Sequence, residues 1–333
     1  MDEKNLHAMR REPRPEFARE LHERLRRQGP AVAPGRTWRP LQFGWSLAGG
    51  VAVALAVLCF TVPAVRVSAQ AFLDLFRVRN FAAVSVDPSR FDRLKDQKLD
   101  LESLVAGGRP ETLEDPGRPR VAGSALEAAA AAGYAVRVPS ERPAGLVPDT
   151  VTVMGRGAVR FGVDTGRLRQ VLEALDIRDI TVPGGLEGQL VTVRTSPAVT
   201  QRFVSDRRRV ELVQAPSPEV SLPVGLDLAR FGEIGLRVAG LDAGEARRFA
   251  RSIDWHSTLV VPVPLDASSF REVTIRGNRG LLVTFTGEAK SEPGRHGPRG
   301  PGCLLLWSEG DMVYALGGNL DDMRLVEMAE SLR

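Results

Sequence analysis

The stretch LLLWSEGDMVYALGGNLDDMRLVEMAESL, residues 304–332, is the most regular part of this 333-residue chain. An apolar strand pattern, Leu304–Trp307, is followed by a polar turn at Ser308–Asp311 and by a second strand pattern, Met312–Leu316. Two such runs around a glycine-containing turn are typical of a β-hairpin. Two glycines then lead into an amphipathic helical pattern, Asp321–Leu332, whose acidic start stabilises the first turn of a helix. The end of the chain therefore predicts a hairpin covered by a helix.

Similar strand and helix patterns extend upstream to about residue 125. A second hairpin pattern places Val273 and Ile275 on one strand and Leu282–Phe285 on the next, with the turn at Gly277–Gly280. Strands outnumber helices, so the sequence predicts an α+β domain with an antiparallel sheet and packed helices. Further strands are predicted at Tyr134–Val138, Thr150–Met154, Ala158–Val163, Gln189–Arg194 and Val199–Val204, and another strand ends at Val263. Three more helices are predicted: one ends at Gly133, one spans Thr165–Leu175 and one begins at Asp242.

A different kind of segment lies near the amino end. Residues 43–65, FGWSLAGGVAVALAVLCFTVPAV, contain no charged side chain. At ~1.5 Å rise per residue, this length suffices to cross a hydrocarbon core of ~30 Å. We expect one transmembrane helix here. Val67–Ala69 resembles a signal-peptidase site, so a leader cleaved before Gln70 is the alternative, although the segment is longer than the apolar part of an ordinary signal peptide.

The charge distribution predicts the orientation of that span. The 42 residues before it hold 10 Lys and Arg against 6 Asp and Glu, which leaves 35 of each kind in the rest of the chain. Basic residues that flank a span stay on the cytoplasmic side. We therefore expect a protein of the cell membrane whose amino end is cytoplasmic and whose carboxyl-terminal domain is extracytoplasmic. An outer region of balanced charge gives no electrostatic reason to expect nucleic-acid binding there.

The predicted organisation has four parts. Residues 1–42 form a basic tail, residues 43–65 the span, residues 66–124 a juxtamembrane helix and strand with a flexible connector, and residues 125–333 the outer domain, with a division into two sub-modules near 215–240. Within the tail, a helical pattern from about Pro15 to Arg27 places three apolar side chains on one face. They are candidates for binding a cytoplasmic partner protein, or for resting on the membrane surface: Phe17, Leu21 and Leu25.

The terminal stretch resembles the ending of a bacterial extracytoplasmic family known as domain of unknown function 4367. Members combine a Trp and a turn Gly with an apolar strand, a Gly and a helix that ends in Ala-Glu-Ser-Leu. An upstream segment, GYAVRVPSERPAGL, is similar to the family's strand and proline-flanked turn, through Val138, Pro139, Pro143, Gly145 and Leu146. The residues that carry the terminal resemblance are Trp307, Gly310, Tyr314, Leu316, Gly317, Ala329, Ser331 and Leu332.

This resemblance implies a single-pass protein of the anti-sigma or envelope-stress kind, with an outer domain distantly similar to lipoprotein-carrier half-barrels. It supplies no catalytic residues. The tail offers only His7 and His22 and lacks the His, Cys, Cys constellation of zinc-binding anti-sigma domains. The capture of a sigma factor is therefore less well supported than a regulatory role in general.

No catalytic, cofactor or metal site is predicted. Beyond the span only His256 and His296 could act as a histidine base, and the run Asp254–Ser257 holds catalytic residue types that are consecutive and cannot converge. Asp321 and Asp322 are better explained as helix-capping residues than as metal ligands. We therefore expect a non-enzymatic regulator with an outer ligand- or protein-binding domain, with an envelope lipid carrier or scaffold as the alternative and a hydrolase as the least favoured.

Overall fold

The computed structural model describes residues 75–87, 89–90, 93–94, 110–185, 187–222, 227–264, 268–285 and 302–333. All of them belong to one compact unit. None of the helices in these described ranges is both long enough and apolar enough to cross a membrane. The predicted span at 43–65 and the tail residues Phe17, Leu21 and Leu25 lie outside the described residues.

The described ranges contain fifteen strands and five helices. The strands are β1 (Leu75–Phe76), β2 (Asn80–Val86), β3 (Glu111–Glu114), β4 (Arg120–Ala122), β5 (Val147–Met154), β6 (Gly157–Gly162), β7 (Leu190–Thr195), β8 (Ala198–Val204), β9 (Arg209–Pro216), β10 (Glu219–Ser221), β11 (Thr258–Pro264), β12 (Ser268–Ile275), β13 (Asn278–Phe285), β14 (Gly302–Glu309) and β15 (Met312–Gly318). The helices are α1 (Ala125–Ala132), α2 (Thr165–Ala174), α3 (Leu228–Ala239), α4 (Ala243–Ser252) and α5 (Asp322–Glu330).

The larger sheet has eight antiparallel strands in the order β12, β13, β14, β15, β9, β8, β5, β4. Because side chains alternate along a strand, β13 is apolar on both faces. Leu282 belongs to the core beneath α5, whereas Leu281 and Val283 pack with Val263 of β11. At the other end of the sheet, α1 covers Val153 and Val199.

The smaller sheet has five antiparallel strands in the order β1, β10, β7, β6, β3. Val191 and Val193 of β7 lie in the largest apolar core, together with Val171 of α2 and with Phe231 and Ile234 of α3. Helices α2, α3 and α4 thus contribute to the core on one side of this sheet.

A parallel pair of strands lies between these two layers. All seven residues of β2 pair with β11, from Asn80 opposite Thr258 to Val86 opposite Pro264. Val84 and Val86 belong to the core of the smaller sheet, whereas Val263 packs against the larger one. The pair is therefore shared by both cores.

The structure shows the predicted α+β class, with mostly antiparallel sheet and packed helices. The predicted helix that begins at Asp242 is present as α4, where the Asp242 carboxylate accepts a hydrogen bond from the Glu245 amide. The other four helices have similar N-caps, and a side-chain oxygen there satisfies an amide that the first turn leaves unpaired. These capping residues are Ser124, Asp164, Asp227 and Asp321.

Both predicted hairpins exist, but their turns are tighter than expected. Ile275 pairs with Asn278, so the β12–β13 turn consists of Arg276 and Gly277 alone. Both turn residues have positive φ, +50° and +79°, which is the backbone of a type I′ turn and matches the twist of the strands. In the second hairpin, Glu309 already pairs with Met312.

Several segments differ from the sequence-based expectation. The strand expected at Tyr134–Val138 is absent, because side chains of the larger sheet hold this segment in place of a strand ladder. Helix α3 and the strands β9 and β10 were not expected. Strands β3 and β4 lie in the segment predicted to be a connector, and they pair with β6 and β5.

Candidate functional site

The most informative site is the path of residues 75–86, which we call the seam segment. Its first strand, β1, pairs with β10 of the smaller sheet, and its second, β2, pairs with β11 beside the larger sheet. Four of its side chains are at most 4% exposed, which shows that the segment is built into the cores: Phe76, Val78, Val84 and Val86. The seam segment therefore contributes buried side chains to the core of the smaller sheet, and Phe81 and Ala83 of β2 pack toward the larger sheet.

Two buried serines hold the middle of the seam segment. The Val78 amide donates to Ser217 Oγ at 2.7 Å, in a buried hydrogen bond. Ser308 Oγ, on the larger sheet, donates to the carbonyl oxygen of Arg79 at 2.6 Å. Because a buried amide or carbonyl without a partner is costly, these two hydroxyls are required where the strand ladder is interrupted.

A turn after α4 supplies the remaining partners of the seam segment. The carbonyl oxygen of His256 accepts from the Arg77 amide at 3.0 Å, and that of Ser257 accepts from the amides of Arg79 and Asn80 at 2.8 and 3.0 Å. The turn itself is fixed by Asp254, whose carboxylate accepts from Ser257 Oγ at 2.6 Å and from the His256 amide at 3.0 Å.

The environment of Asp254 agrees with a positioning role. The hydrogen bond from Ser257 Oγ, followed by that from the His256 amide, holds the pKa of Asp254 below its usual value, although partial burial opposes the shift. The Asp254–Ser257 run that contains catalytic residue types in the sequence thus presents its backbone carbonyls to the seam segment. Asp254 and Ser257 do meet, although consecutive residues were expected not to converge, and their contact fixes the turn whose carbonyl oxygens hold the seam segment.

The residues that carry the family resemblance lie mainly in one core under α5. Trp307 and Tyr314 stack across β14 and β15, with ring centroids 5.0 Å apart and planes at 10°. Ala329 and Leu332 pack in the same core. The others shape the backbone around it: Gly310 lies in a hairpin turn with φ +61°, Gly317 is opposite Leu304, and Ser331 Oγ accepts from the Glu141 amide.

Beside this core lies a polar cluster that the sequence did not predict. The Arg137 guanidinium makes two hydrogen bonds to the Glu309 carboxylate, at 2.5 and 2.7 Å, and Arg276 Nε donates to the same carboxylate at 3.3 Å. These contacts, above all those from Arg137, hold the pKa of Glu309 below its usual value. Gln201 and Gln214, 3% and 0% exposed, both donate to the carbonyl oxygen of Arg137.

A signal for this cluster was present in the sequence. Gln201 and Gln214 occur in strands whose neighbouring apolar residues alternate, at positions of the buried face. A glutamine at such a position predicts a buried hydrogen-bond partner. Its identity could not be read from the sequence, because Arg137 is 64 and 77 residues away along the chain.

An open groove of about 550 Å³ lies at the β12 edge of the larger sheet, near the start of α5. Leu282 and Leu320 line it together with Cys303, whose thiol pKa is raised by burial. Arg271 bridges its rim to Asp322 at 3.1 Å, and this contact lowers the pKa of Asp322. The groove thus has an apolar lining, and on its rim the Arg271 guanidinium is paired with the Asp322 carboxylate.

No group of three or more His, Cys, Asp or Glu residues in the described ranges is arranged to hold a metal ion. Comparison with protein-family models, with curated proteins and with solved structures found no match for this chain. The resemblance to the extracytoplasmic family stays a prediction.

Proposed function

We propose that this chain is a single-pass membrane regulator with a cytoplasmic amino end. Its outer α+β domain binds a partner protein or ligand without catalysing a reaction, and its tail passes the result to a cytoplasmic partner, in an anti-sigma-like arrangement. The observation that carries this proposal is the seam segment, whose backbone is hydrogen-bonded between the two sheets and begins ten residues after the predicted span ends.

The seam segment gives such a signal a physical route. Val78 is tied to Ser217, which lies between β9 of the larger sheet and β10 of the smaller one, and Arg79 is tied to Ser308 of the larger sheet. A partner that changes how the sheets pack would change these hydrogen bonds and hence the chain that leads to the span. Coupling of this kind requires a contiguous packed network, and the buried seam segment supplies one.

The alternative of a lipid carrier is less favoured by the packing. Under α5 the larger sheet is filled by Leu305, Trp307 and Tyr314, which are at most 2% exposed, so that face offers no apolar concavity at that place. The open groove beside β12 is the feature that a carrier would use. Uptake of a fluorescent acyl probe by the delipidated protein, blocked by Ser269→Trp at an exposed residue of the groove, would favour the carrier over the regulator.

The direct test is photo-crosslinking from the tail of the full-length chain in its own membrane. We expect a crosslinker beside Leu21 to capture one defined cytoplasmic protein, and Leu21→Ala to abolish the capture because it removes the centre of the apolar face. Glu23→Ala, a change on another face of the same helical pattern, is the matched control. An intact tail that captures no protein would contradict the proposal.

A further inference from the structure

We propose that the edge of β12 that no described strand covers binds an extended segment of a partner protein as an added antiparallel strand, with an apolar side chain of that segment in the neighbouring groove. This inference deepens the proposed function, on which it rests, by naming the class of partner that the outer domain recognises. It is carried by the backbone of β12, by the groove and by the charges along the strand.

The hydrogen-bonding direction of β12 follows from its hairpin. Ile275 and Asn278 close a two-residue turn and therefore form a hydrogen-bonded pair. Alternation along the ladder then directs the amides and carbonyls of residues 273, 271 and 269 toward β13. Those of Phe270, Glu272 and Thr274 point away from the sheet. Among the described residues no strand pairs with β12 on that side.

An extended peptide is the ligand that satisfies such a row of groups. Its amides and carbonyls repeat with the same two-residue spacing, so each outward residue of β12 can exchange two hydrogen bonds with one residue of the added strand. Phe270, Glu272 and Thr274 are all exposed, so nothing in the described part of the chain blocks the approach.

The groove provides a place for one side chain of the added strand. Ser269 and Arg271 pair with Thr284 and Leu282, and these four residues line the groove on the α5 side of the sheet. Residues of an added strand opposite Ser269 or Arg271 would project toward the same side. The exposed Met323, at 69%, extends the apolar surface on the first turn of α5.

The charges of β12 argue against a second copy as the occupant. Two β12 strands that pair antiparallel about a twofold axis overlap most in the two registers that place Arg271 opposite Arg271 or Glu272 opposite Glu272. Like charges directly opposite one another destabilise a strand pair. A segment of another protein has no such restriction.

The test uses the full-length chain in detergent and a displayed library of short random peptides as the probe, followed by affinity measurements with the selected synthetic peptide. Glu272→Pro removes one outward amide while leaving the bonds to β13 intact, since proline is tolerated on the free side of an edge strand. Glu272→Ala removes the same side chain but keeps the amide, and is the matched control. Thr274→Pro and Thr274→Ala repeat the comparison at a second outward position.

We expect peptides with alternating apolar residues to be selected, with binding weakened about tenfold or more by either proline variant and about threefold or less by either alanine variant. Slow amide exchange at Arg271 and Val273 must persist in the proline variants, which shows that β12 still pairs with β13. The absence of selected peptides, equal binding by both members of each pair, or self-association of the chain through β12 would overturn the inference. Tail crosslinking in the same chain reports separately on the proposed function.

Discussion

The carboxylate of Glu309, on β14, connects two segments that are far apart in the sequence. It binds Arg137, from the segment that follows α1, and Arg276, from the β12–β13 turn. We expect Glu309→Gln to lower the free energy of unfolding by about 1–3 kcal/mol at neutral pH, because two guanidinium groups lose their charged acceptor. Glu327→Gln, an exposed change on α5, is the control and should have little effect on urea unfolding.

The same residue predicts a pH dependence. The pKa of Glu309 is lowered in the folded protein, so its stabilisation is complete above the usual value of 4.5 and disappears as the pH falls through the folded-state pKa. Urea unfolding at a series of pH values below 4.5 should therefore show a steeper loss of stability in the original chain than in Glu309→Gln. Parallel curves would show that the carboxylate is not ion-paired in solution.

Two helical glycines should respond to alanine with opposite signs. A Cβ on Gly232 of α3 would lie 1.9 Å from the Trp255 ring, whereas one on Gly244 of α4 would lie 3.3 Å from the flexible end of Arg248 and 3.3 Å from the capping carboxylate of Asp242. We expect Gly232→Ala to destabilise the fold by about 1–3 kcal/mol through overpacking, and Gly244→Ala to be neutral or to stabilise it by up to about 1 kcal/mol. Thermal unfolding of the two variants distinguishes them, and equal shifts would contradict the close contact of α3 with Trp255.

At the scale of elements, the seam segment should open locally when its buried partner is removed. Ser217→Ala leaves the Val78 amide without an acceptor, at an expected cost of about 1–2 kcal/mol. Amide exchange should accelerate in residues 77–80 more than in β13. Ser252→Ala removes an exposed hydroxyl and is the control. Unchanged exchange in the seam segment would show that Ser217 does not hold it.

The elements that the sequence predicted are those with local signals. The paired glycines and alternating apolar residues indicate both carboxyl-terminal hairpins, and Asp242 with Glu245 indicates the start of α4. The parallel pairing of β2 with β11 has no local signal, because about 180 residues separate the partners and nothing in either strand specifies the other. For the same reason the Arg77–Asp311 ion pair and the bond from Val78 to Ser217 could not be read from the sequence.

At the scale of the whole molecule, the two sheets do not correspond to two halves of the sequence. The larger sheet takes β4, β5, β8 and β9 together with β12 to β15, while the smaller one takes β1, β3, β6, β7 and β10. The region near residues 215–240, where a division into two sub-modules was expected, contains β10 and α3, and both contribute to the core of the smaller sheet. That division stays a prediction. A partner that binds at the edge of either sheet therefore binds a packed unit in which the seam segment contacts both layers.

The proposed regulator is attached to a membrane through the chain that precedes the seam segment. Protease protection of the full-length chain, tagged at both ends in cells with an opened outer layer, tests it most directly, with the molecular mass read at the same time. If the anchor is retained with its amino end in the cytoplasm, we expect a protected amino end, an accessible carboxyl end and the full mass of 36.2 kDa plus tags. A shortened product that begins at Gln70, or two ends with equal protection, would contradict it.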